Sequence, residues 1–247
     1  MNLFDKVDDP RRRLLVQALS AGFFGGGGLA AQLALADIFG SAPSKLPPGQ
    51  SIYRISGKVL VNGTPATLKT PIGPNDTVET AKNGEIVFVV GTSSYMLDGG
   101  SKLVLQGKQE ASSILTTALR LLTGKVLSVF GKSPSGIRME TVTATIGIRG
   151  TGVYMEAEPD LTYFCTCYGV AEITSTNDPS SKDTVASKHH DKPLYISADP
   201  KRKGNNISLA PFKNHTDQEL MLIETLVGRT PPFVFPGQEY DAPRRDY

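Results

Sequence analysis

Tryptophan is absent from this 247-residue chain, cysteine occurs twice and histidine three times. That scarcity limits the chemistry available, because a hydrolytic triad would need one of the three histidines beside an activated nucleophile. No sequence motif nominates one: there is no Gly-x-Ser-x-Gly, no His-Glu-x-x-His and no phosphate-binding loop. The glycine run at residues 25–28 lies in a leader-like segment, where it cannot cradle a phosphate in a mature fold. An excess of one charge sign is missing too. Lysine and arginine number 26 against 24 aspartates and glutamates, for a net charge of +2, and the two signs are interspersed. Without a basic stripe to displace counterions from phosphates, nucleic-acid binding is not expected.

The N-terminal region has the layout of an export signal. Arg11, Arg12 and Arg13 precede an apolar, glycine-laden run ending in Ala34-Leu35-Ala36. The order Arg-Arg-x-Leu-Leu is similar to a twin-arginine signal, and the glycines weaken the segment as a membrane anchor. Residues 1–36 are therefore expected to be a cleaved signal peptide, which places the mature protein in the periplasm or outside the cell. The alternative is a retained N-terminal membrane anchor, since residues 14–36 are long enough to span a bilayer.

Residues 37–51, with Ser-Ala-Pro-Ser and a Pro-Pro pair, read as a linker. From Ile52, short runs rich in β-branched and aromatic residues alternate with turn signals, among them Asn62-Gly63, Asn83-Gly84 and Asp98-Gly99. This spacing predicts a mainly β domain over residues 52–175. Within it, Ile114, Leu115, Ala118, Leu119, Leu121 and Leu122 fall at helical spacing and predict a short internal helix, followed by a strand after Gly124. Residues 176–247 read as a C-terminal extension with one helix near 217–227. Thr216 and Glu219 form a capping box, Leu220, Ile223 and Leu226 form an apolar stripe, and Gly228 with Pro231-Pro232 ends it. Docking of that stripe onto the β domain is expected; the alternative is an exposed helix that binds a partner.

Four stretches carry a family resemblance: "GKVLVNG"; "IGPNDTVETAKNGEIVFVV", with Gly73, Asp76, Thr80 and Gly84 at its key positions; "SYMLDGGSKLVLQG"; and "TATIGIRGTGVYMEAE". Together, over residues 52–173, they resemble the FecR domain, a periplasmic module of bacterial transmembrane regulators and exported proteins. The resemblance implies an all-β fold of stacked short strands, sandwich-like or solenoid-like. Sigma-factor regulators of this kind carry a cytoplasmic helical domain before a membrane helix. About ten residues precede Arg11, so the expectation is a free-standing exported FecR-domain protein without the anti-sigma or transporter-signalling parts. In "GIRGT", Gly147 and Gly150 are expected to allow tight corners, Arg149 to satisfy carbonyls or a carboxylate, and Thr151 to complete a structural motif. Glu156, Glu158 and Asp160 read as a solvated strand end.

The cysteines, Cys165 and Cys167, sit one residue apart in "TYFCTCYG". In a strand they would face the same way. Three readings remain open: two free thiols in an apolar core, a strained disulfide across one residue, or a metal site for zinc or copper completed by His189, His190 or His215. The leading functional expectation is a non-enzymatic envelope module that binds a protein partner or a cell-wall ligand and serves signalling. The alternative is a metal or redox protein built on the Cys-x-Cys pair. Replacing Arg11 and Arg12 by lysine is expected to trap the precursor in the cytoplasm, as followed by cell fractionation. Undiminished export of that variant would indicate the general secretory route.

Overall fold

The computed structural model describes residues 44–109, 114–133, 136–202 and 204–233. The export signal expected at residues 1–36 lies outside them. Among the described residues, no helix is long and apolar enough to cross a membrane.

Fifteen strands and one α-helix make up the described fold. The strands are β1 (Ile52–Ser56), β2 (Val59–Val61), β3 (Thr64–Pro65), β4 (Thr77–Thr80), β5 (Glu85–Val90), β6 (Ser93–Leu97), β7 (Lys102–Gln109) and β8 (Ile114–Val129). They continue as β9 (Ile137–Glu140), β10 (Ala144–Ile148), β11 (Gly152–Ala157), β12 (Leu161–Ser175), β13 (Lys182–Ser187), β14 (Leu194–Ser197) and β15 (Ile207–Leu209). The helix α1 spans Asp217–Leu226. The first sheet runs β1-β5-β6-β8-β11-β12-β14-β15, antiparallel throughout. The second runs β3-β2-β4-β7-β8-β9-β10-β12-β13, with one parallel pair, β8 and β9.

Two long strands belong to both sheets, and each changes sheet at a left-handed glycine. β8 pairs with β7 up to Thr123 and with β6 from Val126, turning at Gly124 (φ +86°). β12 pairs with β11 up to Tyr168 and with β13 from Gly169 (φ +94°). A Cβ would lie 2.3 Å from Ser101 Oγ at the first corner and 2.4 Å from Thr151 Cγ2 at the second. Only glycine supplies this backbone angle and leaves room for the opposing chain. The two corners fold the sheets face to face over a core that includes Phe88, Tyr95, Leu103, Leu119, Ile146, Met155, Phe164 and Ile173.

The sheets differ in their outer faces. β10 and the second half of β12 alternate between buried and solvent-facing residues, as expected for a sheet covered on one side. β6, β11 and the stretch Thr162–Cys167 are buried on both faces. The outer face of the first sheet, with Val87, Met96, Leu127, Val129, Tyr154, Tyr163, Cys165 and Cys167, packs against Leu220, Leu222, Ile223 and Leu226 of α1. The helix has the expected capping box: Glu219 N donates to Thr216 Oγ1 at 3.2 Å, and Thr216 N donates to Glu219 Oε2 at 2.8 Å.

Three sequence expectations change. The internal helix is instead the first half of β8. Leu119 and Leu121 point inward and Arg120 and Leu122 outward, while Leu115 and Leu122, which completed the helical stripe, are 44% and 38% exposed. Long-range pairing with β7 over residues 114–123 overrides the local apolar spacing. The β fabric does not end at residue 175, because β13 and β14 both pair with β12. In "GIRGT", Arg149 lies exposed, and a Cβ on Gly147 would meet nothing within 4 Å, so neither residue ties layers together. Gly150 does take a left-handed turn (φ +66°), and Thr151 is buried against Gly169.

Gly169→Ala is expected to lower unfolding free energy by about 3 kcal/mol, through a left-handed backbone combined with a clash. Gly147→Ala is expected to change it by less than about 0.5 kcal/mol. Urea denaturation of both variants checks the assignment of the sheet-switching corner.

Candidate metal centre

On β12 the alternation of a strand places Tyr163, Cys165 and Cys167 on the outer face of the first sheet and Phe164 on the inner face. One irregularity modifies it. Val153 of β11 faces Thr166 while Gly152 faces Tyr168, so Cys167 is the extra residue of a β-bulge. The bulge turns Tyr168 outward as well, where its hydroxyl donates to Glu224 of α1. It also leaves the Cys167 carbonyl free to accept from the backbone N–H of His190, at 3.0 Å.

That bond brings the loop between β13 and β14 over the two sulfurs. His190 adopts φ +55°, unusual for a non-glycine residue, in a turn where Asp191 accepts from the backbone N–H groups of Lys188 and His189. The third segment is the lead-in to α1. There Lys213 and Asn214 donate to Glu156 at 2.9 and 2.7 Å, Tyr154 donates to the same carboxylate at 2.7 Å, and Asn214 has φ +63°. Burial opposes ionisation of Glu156, but these hydrogen bonds outweigh it and keep its carboxyl below the ordinary value. Glu156 is therefore not the solvated strand end expected from sequence; it is 5% exposed and anchors the segment that carries His215.

Cys165, Cys167, His190 and His215 converge, with their ligand atoms all within 4.8 Å of one another. They are 0%, 0%, 5% and 1% exposed. Cys165 Sγ lies 3.4 Å from His190 Nδ1, Cys167 Sγ 3.6 Å from His215 Nε2, and the two nitrogens are 3.2 Å apart. Metal bonds of about 2.3 Å to sulfur and 2.0–2.1 Å to nitrogen, at tetrahedral angles, separate S from N by about 3.6 Å and N from N by about 3.3 Å. These three spacings fit a single tetrahedral ion, and all four donors lie within 4.8 Å of one another. The spacings are too short for ligands divided between two metals, as in an iron–sulfur cluster.

Hydrogen bonds on the far sides of both rings fix which nitrogens face the centre. His215 Nδ1 lies 2.8 Å from the Lys213 carbonyl, which can only accept, so that nitrogen carries the hydrogen and Nε2 presents a lone pair inward. His190 Nε2 lies 2.9 Å from Asp217 Oδ1, which leaves Nδ1 facing the centre and, in the neutral ring, presenting its lone pair there. A carboxylate or carbonyl behind the ring is the usual outer support of a ligating histidine. The rings are held by Tyr154, stacked on His215 at 4.3 Å, and by Phe212, 4.7 Å from His190 and 4.6 Å from His215.

His189 stands apart from the tetrad. Its Nε2 lies 2.9 Å from Asp217 Oδ2, and its side chain is 27% exposed. His189, His190 and Asp217 also form a compact group, but the imidazole nitrogens point at carboxylate oxygens in hydrogen-bonding geometry, which makes them an outer shell. Asp217, the first residue of α1, was not singled out by sequence reasoning. The only signal for it was its place two residues after His215 at a capped helix start.

The sulfurs are not joined; both are free thiols. Burial opposes ionisation of Cys165, yet hydrogen bonds from Cys167, His190 and His215 outweigh it and hold this thiol well below its ordinary value. Burial, followed by the adjacent Cys165, pushes Cys167 well above it. Burial also disfavours protonated His190, but Asp217 and Cys165 overcome that and raise it to about 9. The surroundings thus favour the thiolate at Cys165, the thiol at Cys167 and the imidazolium at His190.

No family model and no curated protein matches the chain. Among solved structures, two crystal structures from Parabacteroides distasonis ATCC 8503, each provisionally described as that of an anti-sigma factor, are similar at a TM-score of 0.43. One is 12% identical over 67% of this chain and 83% of the other; the second is 11% identical over 69% and 85%. Likeness at this level does not bear on function.

Protein loaded with zinc is expected to hold about one equivalent. Metal analysis should find it lost from the Cys165→Ala/Cys167→Ala, His190→Ala and His215→Ala variants. His189→Ala is expected to keep it, with affinity lowered about tenfold through the outer shell. Full retention by His215→Ala would contradict the ligand assignment.

Proposed function

We propose that this chain is a non-enzymatic metal-binding β module whose Cys165, Cys167, His190 and His215 hold one divalent transition-metal ion, zinc foremost. The observation that carries the reading is the convergence of four buried donor atoms within 4.8 Å, three of their spacings fitting a tetrahedral ion, with an outer hydrogen-bond partner on each ring. Two thiolates balance the charge of a divalent ion, so the occupied centre is neutral. That suits a site out of contact with water better than a monovalent ion, which would leave a buried negative charge. Four protein ligands with no open position describe a structural centre.

The line Cys165, His190, Asp217 also has the order that activates a thiol nucleophile. Burial argues against that use. Cys165 has no exposed surface, and the His190 nitrogen that would serve as its base is flanked by His215 at 3.2 Å.

The FecR-like motifs and the export-signal layout support a wider setting for the module: a bacterial envelope protein acting outside the cytoplasm, in which the β domain meets a protein partner or a cell-wall ligand. Twin-arginine export, which carries folded proteins, would allow the ion to be inserted before translocation.

Metal uptake has a defined proton cost. Cys167 and His190 are raised and carry protons near neutral pH, and both must be lost on ligation. Affinity is therefore expected to rise with pH, by about a hundredfold per unit until His190 titrates, with release of about two protons per ion. Calorimetry in buffers of different ionisation enthalpy measures that number. Uptake without proton release would contradict ligation by both thiols.

A further inference from the structure

We propose that the bound ion is the clasp that closes residues 210–233 over the outer face of the first sheet, so that losing the ion uncovers that face. This rests on the metal reading above and adds a conformational consequence to it.

Three of the four ligands belong to the β body. Cys165 and Cys167 lie within β12, and His190 is tied to the same strand by its backbone N–H on the Cys167 carbonyl, at 3.0 Å. His215 alone comes from the covering segment, immediately before the N-cap Thr216. A metal bond to His215 therefore joins cover to body. Asp217 adds a return contact from the first turn of α1 to His190 and His189. The far end of the cover has its own fastening. Arg229 bonds Glu224 at 2.8 Å and the Thr92 carbonyl at 2.7 Å, and Leu46 N donates to the Leu226 carbonyl at 3.1 Å. The near end is held by the centre, by the Glu156 contacts, by Lys213 N on the Tyr163 hydroxyl at 3.3 Å and by Ala210 N on the Pro193 carbonyl at 2.9 Å.

Without an ion, His215 meets the body at the centre only through contacts of 3.2 Å to His190 Nδ1 and 3.6 Å to Cys167 Sγ. With an ion, the same four donors become its ligands. The closed cover therefore binds metal better than the open one, and by linkage metal favours closure. Beneath the cover lie Val87, Met96, Leu127, Val129 and Tyr154, an apolar surface that opening would present to solvent.

Hydrogen exchange read by mass spectrometry on the full-length protein, zinc-loaded and after chelation, tests this directly. On zinc removal, amides of residues 215–227 are expected to exchange about tenfold faster or more, with β5, β6 and β11 unchanged. Binding of an environment-sensitive apolar dye should rise in parallel. His215→Ala, with zinc present, should show the exchange pattern of the chelated protein. Unchanged protection of residues 215–227 in protein that demonstrably loses its zinc overturns the clasp and leaves the metal centre standing. Loss of protection across all strands also overturns it, because the ion would then hold the whole fold. Failure to take up zinc at all removes both readings.

Discussion

Four buried donor atoms, two sulfurs and two imidazole nitrogens, face one another within 4.8 Å. The surroundings of the centre are arranged to hold that situation. The Lys213 carbonyl and the Asp217 carboxylate take the outer hydrogens of His215 and His190, so that in its neutral form each ring presents a lone pair inward. Leaving a polar group unsatisfied at such depth would cost about 1–3 kcal/mol, and here each ring nitrogen has a partner. A tetrahedral ion uses every inward lone pair at once, which is why the donor spacings, and not the residue types alone, carry the argument.

The fold serves this arrangement at two levels. The glycine corner at Gly169 sends β12 from one sheet into the other, and the bulge at Cys167 lies two residues before it. The bulge keeps Cys167 and Tyr168 on the same outer face and turns a strand carbonyl toward His190. The ligand-bearing loops each contain a non-glycine residue in the left-handed region, His190 and Asn214. Backbone conformations of this kind persist where surrounding contacts over-determine them, and they cluster at functional sites. Here the contacts are the Asp191 turn and the Glu156 anchor.

Much of the architecture was legible in the sequence: the β class, the Asn62-Gly63 hairpin, the capped C-terminal helix and its docking face. Those features rest on local chemistry, such as positive φ at paired turn residues or a side chain bonded three residues away. The first half of β8 was not legible, because its leucines satisfy helical spacing and only pairing with β7 decides between helix and strand. For the centre, residue type and the i, i+2 spacing of the cysteines placed both sulfurs on one face. The choice among three histidines, the outer-shell role of Asp217 and the anchoring role of Glu156 depend on contacts between residues 25 to 58 positions apart. No local pattern encodes these. The glycines of "GIRGT" illustrate the reverse limit: identical in type, Gly147 is unconstrained by its neighbours while Gly150 takes a left-handed turn.

X-ray absorption spectroscopy at the zinc edge of the loaded protein tests the central claim most directly, since it reads donor identity and distance about the ion. The account predicts a four-coordinate shell of two sulfurs at about 2.3 Å and two imidazole nitrogens at about 2.0–2.1 Å, with no second metal nearby. A shell of nitrogen and oxygen alone, or a metal–metal vector, would contradict it.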